Sequence, residues 1–291
     1  MDEKEIRKAV REGYGAIASG KSSCCEPSEP SCCGPAASSC CGPGLAGDMS
    51  SRIGYSKEEL DSVPEGADLG LGCGNPVAMA SLREGETVID LGSGPGLDCF
   101  LAAGRVGKSG RVIGVDMTPE MLERARENAR RGGYDNVEFR LGEIENLSVP
   151  DGIADVIISN CVINLSPDKP RVFREAFRAL RPGGRLMVSD IVLEGELPAA
   201  VRESAAAYVG CISGAIGRED YLDAVRQAGF VEVEVVEESA FPLDCMLNDP
   251  TARAVMAELD LPREEMDRLL AAVRSAKIKA VKPGGQGWPS A

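Results

Sequence analysis

Cysteines dominate the residues of this sequence that could do chemistry. The chain has eleven of them and no histidine, which excludes a histidine base, a histidine-dependent triad and a mixed Cys/His zinc site. Three adjacent cysteine pairs recur in CCEPSEPSCCGPAASSCCGPG, residues 24–44, between Pro, Ser, Ala and Gly. The chemistry must therefore use thiols, carboxylates or a bound cofactor.

The isolated cysteines differ in their surroundings. Cys73 lies in the glycine-rich loop GLGCGNP, Cys161 directly follows the apolar run ADVIISN, and Cys211 lies between a helix and a loop in YVGCISGAIG. Cys99, within LDCFLAA, is interpreted as a small core residue, and Cys245 receives no role. One possibility is that the first three are unrelated buried thiols. Without histidine, their convergence on one point would instead suit a soft, thiophilic centre.

A glycine loop provides the second candidate site. In VIDLGSGPG, residues 88–96, Asp90 ends an apolar run and glycines follow at 92, 94 and 96. The next apolar run ends at Asp116, where a carboxylate could accept two ribose hydroxyls. A simple tight turn between strand and helix is the alternative. The spacing Gly-x-Gly-x-Gly also differs from the Gly-x-Gly-x-x-Gly that dinucleotide cofactors favour.

Strand and helix patterns alternate around these motifs. The predicted strands are 86–91, 111–116, 137–142, 154–160, 184–192, 231–238 and 276–283. The predicted helices are 2–19, 97–106, 119–131, 169–180, 219–229 and a segment around 250–275. This alternation predicts an α/β fold with a doubly wound, mostly parallel, seven-stranded sheet. Ligands bind such sheets beyond the carboxyl ends of the strands, which is where the motifs lie.

The remaining composition limits partners and location. We expect a helix and a flexible Cys-rich arm at 1–50, the sheet domain at 51–240, and a small C-terminal extension at 241–291. A net charge of −14 argues against a nucleic-acid partner and against docking on anionic lipid. No apolar run approaches the ~20 residues of a membrane span, and the N-terminus is charged rather than apolar. We therefore expect a cytoplasmic monomer without membrane contact.

The central motifs resemble those of the class I, Rossmann-like S-adenosylmethionine-dependent methyltransferases. The glycine loop, GVDMTPEML, the turn at 142–144 and ALRPGGRLMVSD fit that superfamily in order and spacing over roughly 80–240. The cofactor contacts implied by this resemblance are Asp90, Gly92, Gly94, Gly96, Asp116, Met117, Glu143, Ile144 and Asn160. In this superfamily, the residues that correspond to Asp90 and the glycines face the methionine moiety. The one that corresponds to Asp116 faces the ribose, and those at 117, 143 and 144 face the adenine.

A narrower resemblance comes from GLGCGNP, DLGSGPGLDCF and SNCVINL together with the ending SAKIKAVKP. In combination they are similar to the arsenite methyltransferases over about residues 50–283. The resemblance implies methylation of trivalent arsenic, as arsenite or a methylated trivalent arsenical, with Cys73, Cys161 and Cys211 as arsenic ligands. Thiolate-bound trivalent arsenic keeps a lone pair that can attack the sulfonium methyl, so no base is required.

The same family implies a redox part for the arm. An upstream cysteine and the GLGCGNP cysteine close to a disulfide, which implies Cys40 or Cys41 as partners of Cys73 and a thioredoxin- or glutathione-type reductant. The family has one such cysteine where this arm has three pairs, so a metal-sequestering or dispensable arm remains open. For the whole chain, a methyltransferase for a small organic acceptor and a thiol-rich metalloid-binding protein are the alternatives.

Overall fold

The computed structural model describes residues 2–19, 43–241 and 262–284. The three cysteine pairs, including Cys40 and Cys41, lie outside the described residues, as does Cys245. Within the described ranges, no helix is long and apolar enough to cross a lipid bilayer.

A seven-stranded sheet forms the centre of the fold. Its strands are β1 (Thr87–Leu91), β2 (Arg111–Asp116), β3 (Val137–Leu141), β4 (Ala154–Asn160), β5 (Leu180–Leu193), β6 (Val231–Ala240) and β7 (Val273–Val281). Their order across the sheet is β3-β2-β1-β4-β5-β7-β6. The first five run parallel, and β7 is antiparallel to both of its neighbours. The predicted doubly wound, mostly parallel sheet is confirmed.

Helices lie on both faces of the sheet and over one end of it. They are α1 (Glu3–Ala18), α2 (Pro43–Arg52), α3 (Lys57–Asp61), α4 (Pro76–Met79), α5 (Leu97–Val106), α6 (Pro119–Gly132), α7 (Lys169–Ala179), α8 (Ala199–Glu203), α9 (Ala205–Val209), α10 (Arg218–Gln227) and α11 (Arg263–Ala272). A short 3-10 helix spans Ile163–Leu165. Ser56 and Asn75 cap α3 and α4, because each accepts a hydrogen bond from a backbone N–H group of the first turn.

Three apolar clusters fill the spaces between these layers. Because side chains alternate along a strand, Ile89 packs with α7 and α10 on one face while Val88 packs with α5 on the other. A third cluster lies under α1, α8, α9 and α11 and contains Cys73, Cys161 and Cys211. The thiols singled out in the sequence are therefore buried in the cluster beside the carboxyl ends of β4 and β5.

Some predicted boundaries differ from the structure. Helix α2 begins at Pro43, so part of the segment expected to be an arm is helical. The last strand begins at Val273 rather than 276, because the antiparallel ladder of β5 and β7 runs from Arg185↔Val281 to Leu193↔Val273. A pairing between strands far apart in sequence adds residues that local patterns do not identify as strand.

Candidate functional site

A cleft opens at the carboxyl ends of β1, β2 and β4, where the topology predicts a ligand. It encloses about 990 Å³ of empty space, including open solvent. The predicted cofactor contacts that line it are Asp90, Gly92, Gly94, Asp116, Met117, Ile144 and Asn160. Gly96 and Glu143 are not on the described wall of the cleft. The structure thus brings seven of the nine predicted contacts around one space.

The glycines of the loop after β1 meet different needs. All three have positive φ, and a Cβ on Gly92 would lie 2.2 Å from Cγ2 of Val162. A Cβ on Gly96 would lie 2.7 Å from the Phe100 ring, so this glycine is required by packing at the start of α5. A Cβ on Gly94 would meet nothing within 4 Å. Only at Gly94 does the missing side chain leave space directly open to a ligand.

Asp116 fixes the shape of this loop. Its Oδ2 accepts a hydrogen bond from the backbone N–H of Gly94 at 2.9 Å, and its Oδ1 accepts one from that of Thr118 at 2.8 Å. Burial raises the pKa of the Asp116 carboxyl, and the backbone donors oppose that rise. The carboxylate therefore holds the loop at the end of β1 against the end of β2.

A second acid, missed in the sequence, lies beside Asp90. Asp98 in α5 accepts hydrogen bonds from the Tyr55 hydroxyl at 2.7 Å and from Nδ2 of Asn160 at 3.1 Å. The Cys99 thiol donates to Asp90 at 3.2 Å, and Cys99 is fully buried, as expected for a core residue. Burial raises the pKa of Asp98 to about 6, and burial with the nearby Asp98 charge raises the pKa of Asp90 well above its ordinary value. Two buried carboxyl groups at one wall favour a ligand with a cationic group.

The three predicted thiols do meet. The Sγ atoms of Cys73 and Cys161 lie within 4.8 Å of each other, and Cys161 also interacts with the Cys211 thiol. Cys73 donates to the backbone oxygen of Ser189 at 3.3 Å, and Cys211 donates to that of Cys161 at 2.8 Å. Interactions with the two neighbouring thiols, followed by burial, raise the pKa of Cys161 well above its ordinary value. Burial likewise raises the pKa of Cys73, so these two thiols are protonated at neutral pH.

Two of the three cysteines have left-handed backbone conformations. Cys161 has φ of 58° and Cys211 has φ of 64°. Such a conformation costs a residue with a side chain about 1–2 kcal/mol, and glycine adopts it readily. Cys161 lies in the turn after β4, and its backbone N–H donates a hydrogen bond to the backbone oxygen of Ser189 at 2.8 Å. Strained residues of this kind cluster at functional sites.

Asp190, also missed in the sequence, lies against the thiols. One of its oxygens lies within 4.8 Å of both the Cys73 and the Cys161 Sγ atoms, and the residue is fully buried. Asn164 Nδ2 donates to its Oδ1 at 2.8 Å, and the Tyr221 hydroxyl donates to its Oδ2 at 3.0 Å. Burial raises the pKa of Asp190 to about 6. The available signal was an acid inside the buried strand LMVSDIV, since a buried carboxyl group needs partners.

Helix α1 covers the cleft and touches the thiols. Arg7 and Tyr14 on this helix line the cleft, and Arg7 pairs with Glu145 at 3.4 Å. The Tyr14 hydroxyl lies 3.9 Å from Sγ of Cys211. Arg7 also pairs with Glu143 at 3.6 Å, which places the predicted adenine contact at the rim under α1. The α1 side chains therefore form part of the cleft wall.

The thiols differ in their access to the cleft. Cys161 lines it, whereas Cys73 and Cys211 lie behind that wall. Cys161 therefore lies between the cleft and the other two buried thiols. A group placed in the cleft would approach the sulfur cluster from the Cys161 side.

Comparisons with known proteins identify the family to which this chain is similar. Residues 82–229 match the family model described as a methyltransferase domain. An arsenite methyltransferase from Halobacterium salinarum is 48% identical over 80% of this chain and 59% of its own length. One from Aquipseudomonas alcaligenes is 44% identical over 66% of this chain and 57% of its own length. The chain thus spans about three fifths of the length of these two curated relatives.

A solved structure resembles the fold as well. The arsenic (III) S-adenosylmethionine methyltransferase from Chlamydomonas reinhardtii is 33% identical, with a TM-score of 0.59. The match covers 82% of this chain and 74% of that one. The chain therefore belongs to the arsenite methyltransferase family, within the methyltransferases that use S-adenosylmethionine as methyl donor.

Proposed function

We propose that this protein methylates trivalent arsenic with S-adenosylmethionine, and that Cys73, Cys161 and Cys211 hold the arsenic. One observation carries the proposal. Three thiols from separate segments of the chain are buried together against a cleft built by the glycine loop after β1. A methyl donor in the cleft and a metalloid on the thiols would then meet at Cys161.

The protonation of the buried thiols suits capture of an uncharged metalloid. The pKa of Cys73 is raised by burial and that of Cys161 by its two neighbouring thiols and by burial, so both are neutral thiols, and arsenite at neutral pH is As(OH)3. Capture by three thiols forms three As–S bonds, breaks three As–O bonds and releases three waters, with no change in charge. Burying a neutral product avoids the free-energy cost that an unpaired charge would have in this apolar cluster.

Methyl transfer then needs alignment more than proton transfer. The arsenic lone pair attacks the sulfonium methyl, an As–C bond forms, and the C–S bond breaks to leave S-adenosylhomocysteine. Holding two reactants in line supplies a large part of such a barrier reduction. In the proposed pose, Asp116 would bind the ribose of the donor, Met117 and Ile144 would contact its adenine, and Asp90 and Asp98 would hold its ammonium group.

The arm completes the cycle in this proposal. Transfer leaves arsenic formally pentavalent, and a thiolate that attacks one arsenic-bound sulfur forms a disulfide and returns two electrons to arsenic. We assign this step to Cys40 or Cys41 with Cys73, followed by reduction of the disulfide by a thioredoxin- or glutathione-type partner. We expect the enzyme to act as a cytoplasmic monomer.

The test is a transfer assay with labelled S-adenosylmethionine, arsenite and a thiol reductant. Cys161→Ser should abolish methylation of arsenite and leave donor binding unchanged. Cys99→Ser is the matched control, because Cys99 is equally buried but hydrogen-bonds to Asp90. Normal methylation by the Cys161 variant would refute the three-thiol site. Label transfer without arsenite to a small organic acceptor would favour that alternative, and metalloid binding without any product would favour a thiol-rich buffer.

The arm needs a separate experiment. Removing residues 1–45 would also remove α1, which lines the cleft, so serine substitution is the cleaner change. Cys40→Ser with Cys41→Ser should impair repeated turnover with arsenite more than a single transfer to a monomethylated trivalent substrate. Cys32→Ser with Cys33→Ser provides the control. Equal loss in both assays would contradict a redox part for the 40–41 pair.

A further inference from the structure

Asp190 places a carboxylate oxygen beside the thiol cluster, and arsenic bound by three sulfurs has no need of an oxygen ligand. Trivalent arsenic held by three sulfurs is pyramidal and uses its remaining position for the lone pair. Yet a carboxylate oxygen of Asp190 lies within 4.8 Å of both Cys73 and Cys161 Sγ atoms. Two sulfurs and one oxygen at mutual distances of this size can surround one small ion.

We propose that Cys73, Cys161 and Asp190 form a binding site for a thiophilic divalent cation of the zinc class, which competes with arsenite for the same thiols. Zinc accepts sulfur and carboxylate ligands together in tetrahedral sites. Magnesium and calcium need several oxygen ligands, and this cluster offers a single carboxylate among sulfurs. A water molecule can supply the fourth ligand without changing the charge of the site.

The partners of Asp190 orient it toward the thiols. Its Oδ1 accepts from Asn164 and from the backbone N–H of Ile191, and its Oδ2 accepts from Tyr221. A carboxylate has about four lone-pair sites, so Oδ2, which accepts a single hydrogen bond, retains capacity for a cation. Hydrogen bonds from such outer groups fix the direction of a metal-binding carboxylate. The carboxylate is therefore held in place before any ion arrives.

Charge balance also permits a dication here. Lys169 is buried, donates to the backbone oxygens of Asn164 and Ser166, and lies close enough to Asp190 for their charges to interact. Two thiolates and one carboxylate carry three negative charges, which a dication and Lys169 neutralise together. Binding breaks two S–H bonds, forms two metal–sulfur bonds and passes two protons to solvent. When arsenite binds instead, the three sulfurs and the arsenic carry no net charge, and the charges of Asp190 and Lys169 cancel each other. The buried site is therefore electrically neutral with either the dication or the arsenical bound.

The cation and arsenite should respond differently to the loss of Asp190. Asp190→Asn keeps the shape and removes the charge of one metal ligand. We expect the affinity for the cation to fall at least about tenfold, since changes to groups that merely support metal ligands already cause losses of that size. The affinity for arsenite should change far less, because all three arsenic bonds are to sulfur. This comparison rests on the arsenic site of the proposed function, whereas cation binding can be measured without it.

The experiment uses the full chain with the seven other non-core cysteines, 24, 25, 32, 33, 40, 41 and 245, changed to Ser. Cobalt(II) alone is titrated under argon, and thiolate-to-cobalt charge transfer with tetrahedral visible bands reports binding. Arsenite added afterwards should bleach these bands. Asp155→Asn is the matched control, because Asp155 is a buried acid at the opposite end of β4. It should bind cobalt as tightly as the parent.

Several results would overturn the proposal. They are the absence of thiolate–cobalt bands in the parent, equal cobalt affinity in Asp190→Asn, and bands that persist after arsenite has bound. If Asp190→Asn does not fold, Cys73→Ser against Cys99→Ser keeps the site testable, because only the first should lose charge-transfer intensity. None of these readouts uses S-adenosylmethionine, so a failure of methylation and a failure of cation binding are distinguishable.

Discussion

The docking of α1 over the cleft should depend on Arg7. Arg7 reaches from α1 to Glu145 at 3.4 Å, and the side chains are 21% and 6% exposed. Exposed ion pairs contribute about 0–1 kcal/mol, whereas removing one partner of a buried pair costs about 3–5 kcal/mol. This pair lies between those cases. Arg7→Met, which keeps an apolar stem of similar length, should therefore weaken α1 docking by about 2 kcal/mol.

A loss of that size has two measurable consequences. The equilibrium for local opening of α1 should rise about 30-fold, because 1.4 kcal/mol corresponds to a factor of ten. Hydrogen exchange of the α1 amides reports this opening, while the strands of the sheet should keep their protection. Since Arg7 and Tyr14 line the cleft, binding of S-adenosylmethionine should weaken as well. Isothermal titration with the donor measures that second effect.

Lys8→Met provides the control on the same helix. It removes the same charge, but within the described part of the chain Lys8 pairs with Glu12 alone, at 3.8 Å, and the two side chains are 74% and 68% exposed. We expect an effect below about 0.5 kcal/mol on α1 and none on donor affinity. If Arg7→Met and Lys8→Met exchange α1 amides at the same rate and bind the donor equally, α1 is not held over the cleft by its charge pairs.

Three further changes test the strain, the acids and the glycine loop. Cys161→Gly should be more stable than Cys161→Ala by about 1 kcal/mol in urea unfolding, because only glycine relieves the left-handed φ; the reverse order would show that no strain is stored there. Asp98 has a pKa of about 6, above the usual ~3.9, so its favourable contribution is complete below pH 4 and is lost as pH rises through 6. From pH 4 to pH 7, the unfolding free energy of the parent should fall by about 2 kcal/mol relative to Asp98→Asn, and parallel pH profiles would contradict this. Gly92→Ala should lower the melting temperature more than Gly94→Ala, since only the Cβ added at Gly92 meets another side chain, at 2.2 Å. The affinity for S-adenosylmethionine should fall in Gly94→Ala even where the fold persists.

Several features of the site were predictable from local sequence. Asp90 and Asp116 end apolar runs, and a parallel sheet brings strand ends to one edge, so their meeting at the cleft follows from topology. Cys161 directly follows β4, at the strand end where the topology predicts a ligand, and it lines the cleft. The convergence of Cys73 and Cys211 on it was implied by family resemblance, because nothing in local spacing joins residues from three distant segments.

Other features depend on tertiary contacts that no local pattern contains. Asp190 is one acid in an apolar strand, and its approach to the thiols results from the pairing of β4 with β5, in which Asn160 lies opposite Ser189. The cover provided by α1 depends on Arg7 and Tyr14 meeting residues more than a hundred positions away. The amphipathic pattern of α1 predicted a helix but could not identify which surface the helix covers.

The buried thiols and acids at this site suggest how one pocket separates its ligands by charge. At the cleft wall, Asp90 and Asp98 are carboxyl groups whose raised pKa values show that burial penalises their charge, and a cationic donor relieves that penalty. Behind Cys161, Cys73 is a neutral thiol packed among apolar residues, where in the proposed function an uncharged arsenical would enter by exchanging oxygen for sulfur. If a charged arsenical were the preferred substrate, it would have to leave water for an apolar cluster in which Asp190 is already matched by Lys169.

Neutral trivalent arsenicals should therefore compete with one another for the thiols, while pentavalent arsenate, an anion at neutral pH, should neither bind nor inhibit. Inhibition of arsenite methylation by arsenate at comparable concentration, with reductants that cannot reduce arsenate, would contradict this division of the site.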